Sequence, residues 1–241
     1  PADMDMVRRE TRWALGNSVA LGGSGDPSPV TARGLYAATR AVAQKLWGDS
    51  DIAERKFAVQ GVGKVGSAYV QLLVEARAEV VVTDAYEPAI RAAVEHYDVK
   101  AADPGEIHKV ECDFFAPCAM GAGLNETTIP ELNCAAIVGS ANNQLAADKD
   151  AERLADRGIL YAPDFVVNAG GLINVYDELL GFSKSRALHR VDSIFDATMT
   201  ILETAEKHAI NPNDAAMKVA EDRIHNIGDL RRFRRSGDDR N

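Results

Sequence analysis

The segment from Phe57 to Asp84 constrains the fold of this chain more than any other. Phe57, Ala58 and Val59 form a short apolar run suited to a buried strand, and Gly61, Gly63 and Gly66 follow in GxGxxG spacing. Val65 to Ala76 then carries apolar residues at helical intervals, with Val65, Ala68, Leu72 and Leu73 on one side. Val80, Val81 and Val82 make a second buried strand ending at Asp84, 18 residues beyond Gly66. The glycine spacing alone is a weak signal. A strand before it, a helix after it and an acid at the end of the next strand make it the signature of a dinucleotide loop. Gly61 permits the tight turn, Gly63 lets the backbone approach a pyrophosphate, and Gly66 lets the helix pack close to the strand. The helix start offers unpaired N–H groups and a partial positive charge to phosphate. Asp84 would accept hydrogen bonds from the adenosine ribose and repel a 2′-phosphate, which favours NAD over NADP. A glycine turn in a ligand-free flavodoxin-like sheet remains the alternative.

The alternation continues along the chain. Ala32 to Trp47 reads as a helix, with Pro29 ahead of it and Gly48 after it. Pro88 opens another helix to about Tyr97. Strand-like runs lie at Cys112 to Ala116, Ala135 to Val138 and Ile159 to Ala162, with a short helical turn at Thr128 to Leu132 and a helix at Asp148 to Arg157. After Asn168 only helices are expected, over Leu172 to Leu180, Ser185 to His208 and Asn213 to Ile227. This order predicts an α/β fold: a Rossmann-type, doubly wound, mostly parallel sheet with a C-terminal helical extension. Three loops fall at carboxyl ends of predicted strands, where such sheets bind ligands: Ala116 to Ala119, Gly139 to Gln144, and Asn168 to Gly171.

Composition narrows the class. Hydrophobic residues make up 46% and charged residues 26%, as in a chain with a real core. A net charge of −9 opposes phosphate backbones, so no nucleic-acid partner is expected. The basic run Arg231, Arg232, Arg234 and Arg235 reads as part of a solvated tail. The three cysteines, Cys112, Cys118 and Cys134, contain no CxxC pair, which argues against a disulfide framework and a metal site and for a cytoplasmic setting. No apolar run is long enough to span a bilayer and no signal-peptide pattern is present, so no membrane partner is expected. The first residues, from Asp3 to Gly16, read as an amphipathic helix already under way, as if the chain continued a longer protein.

Taken together, GSGDPSPVT (23–31), VQGVGKVG (59–66), APCA (116–119), GSANNQ (139–144), GILYAPDFVVNAGG (158–171) and INVYDE (173–178) resemble the glutamate/leucine/phenylalanine/valine amino-acid dehydrogenase superfamily. The resemblance is strongest to its leucine dehydrogenase branch with the valine and tryptophan relatives, and it runs over nearly the whole chain in order. It implies NAD-dependent oxidative deamination of an L-amino acid to a 2-oxo acid and ammonia, in a homo-oligomer. By matching motifs, Thr31 is expected at the nicotinamide carboxamide. Gly61, Val62, Gly63, Lys64, Val65, Gly66 and Ser67 are expected around the pyrophosphate, and Asp84 at the adenosine ribose. Cys118 and Ala119 are expected to border the adenosine and ribose, with Cys118 a wall residue and no nucleophile. Asn142 is expected beside the nicotinamide ribose and the substrate. Leu172 and Val175 are placed like an aliphatic pair lining a branched side-chain pocket; plain core residues are the alternative. The implied organisation is a helical lead-in over 1–30, an NAD-binding domain over 31–170, hinge and pocket helices over 171–228, and a flexible tail over 229–241.

The family's catalytic lysines and aspartate would precede Asp3, so no catalytic residue is assigned within this chain. Lys45, Lys64 and Lys100 sit in solvent-facing patterns. Three other readings stay open: an inactive NAD-binding fragment, a phenylalanine or tryptophan dehydrogenase, and a 2-hydroxy-acid dehydrogenase. The last needs a histidine–carboxylate pair at the site, and His96, His108, His189, His208 and His225 all fall in expected surface segments.

Overall fold

The structure, a computed structural model, describes residues 2–238, with side chains through Ile227. Six strands, β1 (Lys56–Gln60), β2 (Glu79–Thr83), β3 (Lys100–Ala101), β4 (Cys112–Pro117), β5 (Cys134–Ile137) and β6 (Leu160–Tyr161), form one parallel sheet in the order β3-β2-β1-β4-β5-β6. The α-helices are α1 (Ala2–Arg8), α2 (Ser28–Trp47), α3 (Lys64–Glu75), α4 (Glu87–Tyr97), α5 (Lys149–Asp156), α6 (Asp164–Val167), α7 (Gly170–Tyr176), α8 (Lys184–Asp192), α9 (Ile194–His208) and α10 (Pro212–Asp238). This is the α/β, Rossmann-type architecture that the strand–helix alternation predicts.

Successive side chains of a strand point to opposite faces, and both faces here are covered. Phe57, Val59, Phe114, Ala116, Ala136 and Val138 enter one core with Leu35 and Val42 of α2, Tyr69 and Leu73 of α3, and Leu202 of α9. Ala58, Phe115 and Ile137 enter a second with Ile107, Leu124, Ile129 and Leu154. That is why the strands read as continuous apolar runs with no alternation. Phe57 and Phe114, register partners on β1 and β4, stack with ring centroids 4.7 Å apart. The buried hydroxyls of Thr39 and Tyr69 satisfy each other at 2.7 Å.

Five local expectations need correction. The single helix read over 185–208 is two, α8 and α9, divided at Ser193. The Ser193 hydroxyl donates to the Arg190 carbonyl at 2.6 Å, a side-chain bond that competes with the helical ladder. Strand β3 was not expected, because its two exposed residues carry no apolar pattern; it forms on the open edge of β2. Helix α2 starts at Ser28 instead of Ala32, since Pro29 suits a first turn and Asp26 accepts from both the Ser28 amide (2.9 Å) and hydroxyl (2.6 Å). At the N-terminus, α1 ends at Arg8 and buries none of its residues, so it is shorter than expected and has no core-facing stripe. Helix α10 carries a helical backbone to Asp238, through most of the span expected as a tail. The side chains of its arginine run, and residues 239–241, lie outside the described residues.

Candidate functional site

The strand order reverses between β1 and β4, and the loops that leave the carboxyl ends of these two strands touch. Gly61 adopts a left-handed φ of 103°, a conformation that costs glycine little and other residues much. A Cβ there would stand 2.8 Å from both the backbone N and the Cβ of Ala119. A Cβ on Gly66 would stand 2.0 Å from the Gly61 carbonyl oxygen, so only glycine lets α3 begin this close to β1. A Cβ on Gly63 would meet nothing within 4 Å. Gly63 also caps α3 without any side-chain hydrogen bond, so the first amides of the helix face open space. Val62 is buried, Val65 and Ser67 are half-buried, and the Ser67 hydroxyl donates to the Val62 carbonyl at 2.9 Å.

Asp84 closes this loop from the β2 side. Its Oδ2 accepts from the Val62 amide at 2.8 Å and its Oδ1 from the Tyr86 amide at 2.9 Å. A carboxylate has about four acceptor positions, so roughly two remain for a ligand. The same residue therefore shapes the glycine loop and presents an acceptor edge beside it. Its hold on Val62 is not visible in a sequence motif.

From here the carboxyl edge continues loop by loop. The Cys118 amide donates to the Gln60 carbonyl at 2.7 Å. Burial pushes the Cys118 thiol up, and the neighbouring Ser140 offsets this only in part. A thiol kept protonated is a wall and no nucleophile. The Ala141 amide donates to the Pro117 carbonyl at 2.9 Å. Asn142 is exposed, and its Oδ1 accepts from Asn168 Nδ2 at 2.7 Å. Buried Gln144 staples this loop from below: its amide nitrogen donates to Gly139 (2.7 Å) and Ala141 (3.0 Å), while its backbone N–H donates to Asp164 at 3.1 Å. Beyond Asn168, α7 meets the start of α2. A Cβ on Gly171 would lie 2.7 Å from the Thr31 hydroxyl, and one on Gly170 would lie 2.6 Å from the Val30 carbonyl. Thr31 itself donates to the Pro27 carbonyl at 3.0 Å.

Thr31, the 61–67 loop, Asp84, Cys118, Ala119 and Asn142 thus lie along one edge of the sheet, where Gly61 meets Cys118 and Ala119 and Asp84 bonds to Val62. Lys64 is 78% exposed and reaches across to Asp26, Nζ to Oδ2 3.3 Å. Leu172 and Val175 both lie on α7, but Leu172 is 71% exposed and Val175 half-buried, so Leu172 is no core residue.

Sequence reasoning missed three residues that hold this edge: Gln144, Asp164 and Glu178. Glu178 Oε1 accepts from the Ser24 amide and hydroxyl, both at 2.6 Å, and Oε2 accepts from the Gly16 amide (3.1 Å) and Asn17 Nδ2 (2.9 Å). Burial alone would raise this carboxyl; the hydrogen bonds from Ser24 and Asn17 outweigh it and hold the group below the usual carboxylate range. Its neighbour Asp177 is fully buried and takes a two-pronged contact from Arg186 (2.6 and 2.8 Å), which holds its carboxyl low. Their motif, INVYDE, was legible; their partners, about 150 residues away for Glu178, were not. Lys45 is less solvent-facing than expected, because it pairs with Glu206 at 2.6 Å. His108 does pair with a carboxylate, Glu131, at 2.8 Å. That pair sits in turns preceding β4 and β5, at the opposite edge of the sheet from the glycine loop. Among the described residues no helix is long and apolar enough to cross a membrane, and no group of three potential ligands could hold a metal ion.

The sequence profile of glutamate/leucine/phenylalanine/valine dehydrogenases matches residues 22–87 and 83–231. The chain is 43% identical over 238 residues to a leucine dehydrogenase of Bacillus cereus, covering 98% of this chain and 65% of that protein. It is 46% identical over 226 residues to a valine dehydrogenase of Streptomyces coelicolor, covering 92% and 62%. It therefore spans just under two thirds of the length of these relatives. The crystal structure of L-tryptophan dehydrogenase from Nostoc punctiforme superposes with a TM-score of 0.86 at 36% identity, covering 94% of this chain and 65% of that one. The hetero-hexameric glutamate dehydrogenase of Thermus thermophilus, at 23% identity and a TM-score of 0.75, shares the fold over 95% of this chain and 60% of its own.

Proposed function

The chain belongs to the glutamate/leucine/phenylalanine/valine dehydrogenase family, and from that premise we propose that it supplies the NAD-binding part of an enzyme that oxidatively deaminates a branched-chain L-amino acid. One observation carries the cofactor reading. The α3 N-terminus opens on free space at Gly63, and the half-free carboxylate of Asp84 stands one residue from the same loop. Unpaired helix amides suit a diphosphate, and an acceptor edge suits a ribose diol while repelling a 2′-phosphate. Bound there, NAD supplies a hydride acceptor. This chain's own residues do the rest: Gly61 to Ser67 hold the diphosphate, Asp84 holds the adenosine ribose, and Cys118 and Ala119 wall the adenosine side. Thr31 orients the carboxamide. Asn142, steadied by Asn168, contacts the nicotinamide ribose and the substrate.

Leu172 and Val175 form the aliphatic wall against the substrate side chain. Discrimination by one methylene is worth only about 1–3 kcal/mol, so leucine, valine and isoleucine are all assigned as substrates. We assign 31–170 as the cofactor-binding unit and 171–228 as hinge and pocket. No catalytic residue is assigned within this chain. General-base chemistry needs a desolvated amine at the substrate, whereas Lys64 is paired and open to water and Lys45 is held by Glu206. The working enzyme is read as a cytoplasmic homo-oligomer.

Titration of the chain with NADH, followed by heat and nicotinamide fluorescence, tests this. Saturable binding is expected, with NADPH weaker by at least about tenfold. Asp84→Ala should lose roughly tenfold or more in affinity, the scale of hydrogen bonds to a charged group. No binding by the parent, or a D84A variant that matches it, overturns the reading. Turnover of leucine and NAD by the intact protein, compared with phenylalanine and tryptophan, decides the substrate class.

A further inference from the structure

We propose that Asp26 is a built-in competitor for Lys64, and that a dinucleotide diphosphate must displace it to bind. The inference rests on the NAD-binding reading above and adds a determinant of affinity on an element that no glycine-loop motif includes.

Lys64 is the first residue of α3, directly after the uncapped Gly63. Its ammonium is the one cation that the loop itself carries. This ammonium points at Asp26 Oδ2, 3.3 Å away. Asp26 is no loosely placed surface acid. Its Oδ1 accepts from both the amide and the hydroxyl of Ser28, which hold the carboxyl below its usual range, with Lys64 adding to the effect. Two residues earlier, Ser24 is clamped by Glu178. The segment from Ser24 to Ser28 is thus anchored at both ends, on α7's side and at the start of α2, with its carboxylate held within one lysine side chain of the α3 N-terminus.

A negative charge so placed acts on an incoming diphosphate in two ways. It repels the phosphates directly, and it occupies the ammonium that would otherwise attract them. Release of Lys64 from Asp26 is then part of the binding step, and the two residues are coupled in the affinity.

The test is a double-mutant cycle on NADH affinity, using the whole chain as it stands, with Asp26→Asn, Lys64→Met and the double variant. Asparagine keeps an oxygen for Ser28, so the start of α2 is preserved, and thermal unfolding checks that each variant folds. Asp26→Asn should tighten NADH roughly two- to fivefold, the range of an exposed ion pair. In the Lys64→Met background the same change should give a clearly smaller gain, because no ammonium is left to release. The D26N variant should also show a steeper loss of affinity with added salt, since its Lys64 meets the phosphates unshielded. An unchanged or weaker affinity in D26N overturns the inference, as does an equal gain with and without Lys64. Either result leaves the NAD-binding reading intact if the parent binds. A parent that does not bind NADH overturns both.

Discussion

Two regions of this molecule face the same edge of the sheet and are held in place by different means. From Gly61 to Asp84 the material is main chain. Glycines approach neighbouring backbone so closely that a methyl group would overlap a carbonyl oxygen, and Asp84 binds the amides of Val62 and Tyr86. From Leu172 to Glu178 the material is side chain. Asp177 gathers Ser183 and Arg186 from the turn and helix that follow, Glu178 gathers Gly16, Asn17 and Ser24 from the distant N-terminal segment, and Leu172 stands out into solvent. The first region is stiff because covalent geometry leaves it no alternative. The second is stiff only while two carboxylates stay ionised.

The sharpest way to break this contrast is within the glycine loop itself. Gly66→Ala drives a methyl into the Gly61 carbonyl. It should cost about 3 kcal/mol and lower the melting temperature by roughly 6–12 °C for a chain of this size. Gly63→Ala meets nothing and needs no unusual backbone. It should leave thermal stability within about 1 kcal/mol yet weaken NADH roughly ten- to hundredfold by obstructing the diphosphate. Equal melting temperatures for the two variants would show that the close approach at Gly66 does not exist.

A smaller effect separates the second region. Glu178→Gln keeps the shape and loses the charge, and should cost about 1–2 kcal/mol in denaturant unfolding. Because the carboxyls of Asp177 and Glu178 are both lowered in the folded chain, their contribution is fully present above the unfolded carboxylate pKa. It is lost as the pH falls from about 4 through their lowered folded values. The parent should therefore lose stability over that acid range, and E178Q should show a shallower slope there. An identical slope would mean that Glu178 is not held as the geometry shows.

The smallest effect is expected at Leu172. Its exposure predicts that Leu172→Ala changes stability by less than about 0.5 kcal/mol. In the intact enzyme it should raise the KM for leucine while NADH affinity stays the same. A drop in stability of several kcal/mol would make it a core residue after all.

What the order of residues determined alone was everything governed by local rules. Period and punctuation placed five of the six strands, and three spaced glycines with an acid 18 residues on placed the dinucleotide loop, because steric permission for a backbone conformation is a property of the residue itself. The short edge strand at Lys100 carries no sequence pattern of its own, since it forms on the open side of β2. Tertiary structure alone decided which groups meet: Glu178 with Ser24, Asp177 with Arg186, Gln144 under its own loop, Lys64 with Asp26. A carboxylate in a sequence looks the same whether it faces water or, as Glu178 does, four donors. Only the folded chain chooses, because hydrogen-bond partners are selected by distance in space and carry no trace in the spacing of residues along the chain.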